Sequence, residues 1–394
     1  MLKVTGARGA LCEALQIVSR GVSGRSTQPV QNNIYLEARG ETLRVVATDL
    51  EHISIEAQVD VSVSEEGAVT APARLLAEVS KSLPAEDVTL GADDSQALTV
   101  ECGKSNYTIR GLSAADFQMF PPAGEGLRVS VPQAQLARLL RQTVFAASND
   151  AVRTILCGAL VSFSEGTLQV VATDTFRLAR GRMEWGDGNG GGTAKAGAVQ
   201  ARAGTAGAVQ ARALQCRTAI VSARALNELL RLLGPEEEGM VGVTVTDNQA
   251  EFDLGNIKVA TRLIEGQYPN YESVIPNFHE KRVTVACAEL EASLRRALIV
   301  AREDGYRVVL RTEGDTLQIS AEIQDVGKVA EEVACRLVGE PVEMAFSCRY
   351  LLDVLEALDT EEVNLDVSGP LNPGMVRAEG DGEFLYVVMP MQIM

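Results

Sequence analysis

Apolar residues recur along the chain at two spacings. Segments 10–20 (ALCEALQIVSR), 135–146 (QLARLLRQTVFA) and 289–302 (ELEASLRRALIVAR) carry them three and four residues apart, which predicts amphipathic helices. Segments 42–49 (TLRVVATD), 167–174 (TLQVVATD) and 316–323 (TLQISAEI) alternate them after a Gly-containing turn, which predicts strands. A second helical marker follows at 73–79 (ARLLAEV), 223–229 (ARALNEL) and 348–354 (CRYLLDV). Each marker occurs three times in the same order, so the chain reads as three units of helix, strands, helix and strands.

The first two strand markers differ only at Arg44 against Gln169 and stand 125 residues apart; the third follows after 149. Such periods far exceed the roughly 20 to 50 residues of solenoid repeats, so this is domain duplication. The middle unit is longer because of a Gly/Ala-rich stretch at 186–213, in which AGAVQARA appears at 196–203 and again at 206–213. That composition predicts a mobile surface loop, an insertion tolerated because loop closure costs little. Pro and Gly punctuate the chain at FPPAGEG (120–126), and VIPNFHEKR (274–282) closes the second unit. The expected domains are 1–124, 125–280 and 281–394, all of class α+β, and three related modules in one chain suit a quasi-symmetric assembly such as a ring.

Composition narrows the chemistry. The chain has 394 residues, 53 acidic against 36 basic, for a formal charge of −17. Its two histidines, His52 and His279, lie far from ligand spacing with each other or with cysteine, which argues against zinc sites and against Ser/His/Asp or Cys/His catalysis. No GxxxxGK[ST] segment occurs, and GDGNGGG at 186–192 leads into Ala and Gly rather than an apolar helix, so nucleotide hydrolysis is not expected. Neither a metal nor a cofactor is expected. The absence of a membrane-length apolar run and the charges near the start point to the cytoplasm, with no membrane partner. Seven cysteines without CxxC spacing read as reduced thiols and small core residues.

Five segments resemble the bacterial DNA polymerase III beta subunit, the sliding clamp family: GRSTQPVQNNIYL (24–36), VVATDTFRLA (170–179), EGQYPNYESVIP (265–276), FSCRYLLDVL (346–355) and YVVMPMQIM (386–394). The resemblance spans the chain apart from 186–213. It implies three clamp domains with helices lining the inside and antiparallel sheets outside, joined head to tail in a ring-shaped homodimer around duplex DNA. It also implies a non-catalytic processivity factor that slides without sequence readout. The implied partners are DNA, a second copy of the chain, the replicative polymerase catalytic subunit, the clamp loader, translesion polymerases and repair proteins.

A sliding ring needs basic side chains that meet phosphates loosely, and it can be acidic outside, which reconciles a charge of −17 with a DNA partner. The predicted helices supply Arg74, Lys81, Arg138, Arg141, Arg224, Arg231, Arg295, Arg296, Arg302 and Arg349, with Arg74, Arg224 and Arg349 at equivalent positions. By resemblance the DNA contacts are Arg25, Arg74, Lys81, Arg153 and Arg224. Asp150 departs from the family, where that loop position is uncharged, and its carboxylate repels phosphate.

The resemblance further implies a groove for short Gln- and Leu/Phe-containing peptides. It is lined by Leu156, Thr173, Thr175, Phe176, Arg177, Leu178, Pro269, Val274, Ser347, Tyr350, Val387, Val388, Met389, Pro390 and Met391. Methionines flanking a proline suit a surface that adapts to several partners. Phe176 stands where a His is common and Ser273 where an Arg is common, which shifts partner preference. The resemblance also implies dimer contacts at Tyr107 and Ile109 on an edge strand, facing Ile299 and Val300 at a helix end. Two other readings remain open: a hydrolase using paired carboxylates such as Asp49 and Asp174, for which a structural turn role is the better account, and a scaffold protein without any DNA dependence.

Overall fold

The computed structural model describes residues 1–22, 28–164, 166–184, 216–234, 238–380 and 382–393. Arg25 and the 186–213 insertion, with its expected mobility, lie outside the described residues. Among those residues six α-helices form: α1 (Arg8–Val18), α2 (Ala73–Ser82), α3 (Gln133–Thr143), α4 (Ala223–Leu232), α5 (Cys287–Ala301) and α6 (Cys348–Ala357). They fall on the six helical markers. The repeated strand markers become Thr42–Thr48, Thr167–Thr173 and Thr316–Ile323.

Helices after the first share one origin. Strands Gly67–Pro72, Leu127–Pro132, Arg217–Ser222, Lys281–Ala286 and Glu343–Ser347 run straight into α2, α3, α4, α5 and α6 without an intervening loop. The strand therefore sets the direction of the helix. α2 buries Ala73, Leu76 and Val79, and α4 buries Ala223, Leu226 and Leu229, so the three- and four-residue spacing turns one stripe inward and leaves the opposite face wet.

Two compact units result. The first comprises residues 1–133 and 231–263. It contains a five-stranded sheet, ordered Ser62–Glu65, Leu2–Gly6, Val88–Ala92, Ala97–Cys102 and Ser105–Arg110. It also contains an eight-stranded sheet in which Ile257–Arg262 pairs antiparallel with Ile53–Asp60, Thr261 opposite Ile53. α1 packs on α2 and on the strands Thr42–Thr48 and Ile53–Asp60.

The second unit comprises 134–184, 216–230 and 264–393 of the described residues. Its sheet has twelve strands, from Arg217–Ser222 at one edge to Glu343–Ser347 at the other. Strand Phe384–Val388 sits inside it, between Arg177–Glu184 and Gly374–Ala378, and all five of its residues are buried. The sheet stays continuous because Gly327–Val338 is long enough to pair with Thr316–Ile323 by its first part and with Lys281–Ala286 by its last. α5 packs on α6 and on the strands Thr316–Ile323 and Gly327–Val338. Tyr386, Phe346 and Phe384 are among its largest fully buried side chains, each stabilising the fold by about 1.5 to 3 kcal/mol.

One expectation needs correction. Cys12, Cys102, Cys287 and Cys348 are core residues, but Cys157 and Cys335 are half-buried and Cys216 is exposed. Cys216 directly precedes the edge strand Arg217–Ser222, whose burial begins only at its third residue.

Candidate functional site

The turn after Thr167–Thr173 is built by its own polar side chains. The Thr173 hydroxyl donates to the Arg177 carbonyl at 2.6 Å and accepts from the Thr175 amide at 3.2 Å. Asp174 Oδ1 accepts from the amides of Phe176 and Arg177 at 2.9 and 3.0 Å. Thr175 is forced to a φ of 82°. The same construction closes Thr42–Thr48: Thr48 donates to the Ile53 carbonyl, Asp49 Oδ1 accepts from His52 and Ile53, and Leu50 has a φ of 62°. Asp49 and Asp174 thus hold equivalent turns, and the strain belongs to the repeat rather than to one site.

Arg177 leaves this turn and enters the protein, where only 7% of its side chain is exposed. Its guanidinium donates to Asp174 Oδ2 at 3.0 Å, to the Phe145 carbonyl at 3.0 Å and to Asp353 of α6. It also stacks over the Tyr350 ring, 4.5 Å from the centroid. Burial works against its charge, but Tyr386, Asp353 and Asp174 outweigh that, and its pKa lies above the ordinary value. The Tyr386 hydroxyl in turn donates to the Tyr350 carbonyl at 3.0 Å. One buried cation therefore ties the turn to the start of α6 and fixes Tyr350.

The tail completes the same neighbourhood. After Phe384–Val388 the Met389 amide donates to the Phe176 carbonyl at 2.9 Å, and the Met391 amide donates to the Ala345 carbonyl at 2.7 Å. Met389, Pro390 and Met391 stay half-buried between these anchors. Beside them Leu178, Val387, Met375, Leu385, Val171, Ile220 and Tyr268 form one apolar cluster, with Val274, Ile155 and Tyr271 packed on its rim. Phe176 is 56% exposed, a large apolar face left in solvent.

Most candidate groove residues therefore meet. Thr173, Thr175, Phe176 and Arg177 make the turn; Leu178, Val274 and Val387 share the apolar cluster; Val388 ends the buried strand; Ser347 and Tyr350 lie at the start of α6. Leu156 is buried at the end of a short 3-10 segment, Ala151–Cys157, and Pro269 is exposed next to the buried Tyr268. Phe145, Asp353, Tyr268 and Met375 escaped sequence reasoning. Their partners lie far away in the chain, so no local pattern marks them.

The candidate DNA contacts among the described residues are exposed, and several of them are paired. Arg74, Arg224 and Arg349 each occupy the second residue of a helix and each faces solvent. Arg74 reaches Glu78 at 3.0 Å and Arg349 lies over the Tyr306 ring. Lys81 is exposed in the last turn of α2. Arg153 is held by Thr175 at 3.1 Å and by Asp150 at 3.6 Å, so the departing carboxylate at 150 pairs with the neighbouring cation. On α5 and just after it, Arg295, Arg296 and Arg302 pair with Glu291, Glu331 and Glu303. Tyr107 and Ile109 lie on Ser105–Arg110, the last strand of its sheet; Ile109 is buried and Tyr107 is partly exposed. Ile299 is 63% exposed on α5 beside the half-buried Val300. No described helix is long and apolar enough to cross a membrane.

Comparison with known proteins decides the family. Models of the DNA polymerase III beta subunit match residues 2–121 (N-terminal domain), 130–195 (central domain) and 272–392 (C-terminal domain). The beta sliding clamp of Synechocystis is 31% identical, with all of both chains covered. The chain belongs to the DNA polymerase III beta subunit family. The beta sliding clamp of Pseudomonas aeruginosa is 31% identical over 98% of each chain. Its crystal structure bound to griselimycin superposes with a TM-score of 0.86, at 30% identity and full coverage of both chains. The Bacillus subtilis clamp superposes at 0.87 with 25% identity over the same extent. The three clamp domains of mixed helices and antiparallel sheets are those of this family, and the protein is a DNA sliding clamp.

Proposed function

We propose that the chain acts as a head-to-tail homodimeric ring that encloses duplex DNA and carries the replicative polymerase catalytic subunit, the clamp loader, translesion polymerases and repair proteins along it. Its contribution is non-catalytic, and the bacterial chromosome it serves puts its work in the cytoplasm. The domain limits 1–124, 125–280 and 281–394 define three repeats per protomer. Arg25, Arg74, Lys81, Arg153 and Arg224 meet phosphates, and Tyr107 and Ile109 of one protomer face Ile299 and Val300 of its partner. The observation that carries the recruiting role is the meeting of the 173–177 turn, the start of α6 and the 389–391 tail beside one apolar cluster. An apolar floor with polar edges and adaptable methionines suits short peptides from several partners.

Arginines already paired with carboxylates bind phosphate weakly, so retention on DNA must come from enclosure and not from affinity. The test is to load the protein onto nicked circular DNA with its matching clamp loader, in salt high enough to suppress phosphate binding, and then cut the circle. Protein that stays on circles and leaves once an end exists is linked topologically. Equal retention on circular and linear DNA would sink the ring.

A further inference from the structure

Three arginines on the second unit stand apart from the rest. Leu178, Arg180 and Arg182 alternate along one strand, and so do Met375 and Arg377 on Gly374–Ala378. Leu178 and Met375 belong to the apolar cluster of the candidate groove, so the arginines continue the same sheet face. The register sets them in a row. Arg180 stands opposite Leu385, and the following residue, Tyr386, stands opposite Val376, the neighbour of Arg377.

This row is under-partnered in a chain of charge −17. Nε of Arg180 and Nε of Arg377 are buried without a hydrogen-bond partner among the described residues. The only side-chain acceptor that Arg377 meets there is the Met375 sulfur, a weak one, at 2.9 Å. Arg182 donates to Gln169 at 2.6 Å, and Gln169 donates to the Tyr271 hydroxyl at 2.8 Å, which fixes the edge of the row. Burial first, then the charges of Arg182 and Arg377, hold the Arg180 pKa below its ordinary value, while Tyr271 and Glu272 offset this only in part. Two half-buried guanidiniums, each with a buried Nε that has no acceptor and each crowded by like charge, suit an anion.

We propose that Arg180, Arg182 and Arg377 form an acid-binding subsite that takes Asp or Glu side chains of partner peptides whose apolar residues occupy the adjoining groove. The inference rests on the peptide groove of the preceding section. It assigns partner preference to charge beside the groove, where Phe176 and the apolar floor supply none.

The test uses the full chain and two labelled synthetic peptides with the same Gln and Leu/Phe anchors, flanked by two Asp residues in one and two Asn in the other. The acidic peptide binds roughly three- to tenfold more tightly at low salt, and the gain shrinks as salt screens it. Arg180→Gln with Arg377→Gln removes the gain and leaves the affinity of the Asn peptide in place. Arg182→Gln, at an exposed position, reduces the gain without touching the core. Equal binding of the two peptides would overturn the subsite and leave the groove standing. Failure of both to bind would remove the groove, and the subsite with it. Millimolar inorganic phosphate that protected the arginines without any preference for the acidic peptide would also overturn it.

Discussion

Arg177 shows how much one side chain can organise. Sequence reasoning finds it within VVATDTFRLA and expects a groove wall, but its partner Asp353 lies 176 residues away, and no local spacing encodes that distance. Replacing Arg177 with Ala strands Asp174 and Asp353 and frees Tyr350. We expect a loss of about 2 to 4 kcal/mol, read as a fall in the urea midpoint, together with weaker peptide binding. Asp353→Asn keeps an acceptor and costs about 1 kcal/mol. Cys348 makes a second prediction. Burial pushes its thiol up to about 12, and the thiol donates to the Leu294 carbonyl at 3.2 Å. In the unfolded chain it ionises near the ordinary 9.0. The unfolded state therefore loses its proton first, and stability falls as the pH rises from about 9 towards 12. The buried hydroxyls of Tyr268 and Tyr386 are pushed up in the same sense. Urea midpoints at pH 8 and 10.5 should differ, and Cys348→Ala should narrow the difference, the buried tyrosines supplying the remainder; equal midpoints would contradict it.

At the scale of elements the chain is easy to read where its signals are local. Helix stripes and the three alternating strand markers appear in the structure almost residue for residue, because each depends on neighbours within one turn or one hairpin. The order of the twelve-stranded sheet is not legible in the same way. Nothing around Arg177–Glu184, a strand with three arginines, announces that its outer neighbour is the apolar run Phe384–Val388. Close approach of a helix to a sheet is equally silent: a Cβ on Gly181 would sit 2.6 Å from Leu139 Cδ1, so α3 lies against bare backbone there. Gly181→Val is expected to push α3 outward and cost about 1 to 3 kcal/mol by overpacking. Calorimetry would reveal this as a lower Tm, and an unchanged Tm would show that α3 has room to spare.

For the whole molecule the decisive sequence signal was triplication, which depends on nothing but comparison of the chain with itself. It led to three modules and a ring, and the proposed contact between protomers can be tested at two exposed side chains. Ile299→Arg places a charge on an exposed apolar position of α5, and Tyr107→Arg does so on the edge strand. Each is expected to shift the mass measured by light scattering from dimer towards monomer while leaving the fold intact, and an unchanged dimer after both would move the interface elsewhere. The inserted position of Phe384–Val388 has one more consequence, which concerns synthesis. Its neighbour Arg177–Glu184 is made about 200 residues earlier, and at roughly 5 to 20 residues per second it waits on the order of 10 to 40 seconds with an unpaired edge. Until Phe384–Val388 emerges from the ribosome, that edge is open to chaperones and to other nascent chains, and the groove lacks the wall that residues 387–391 give it.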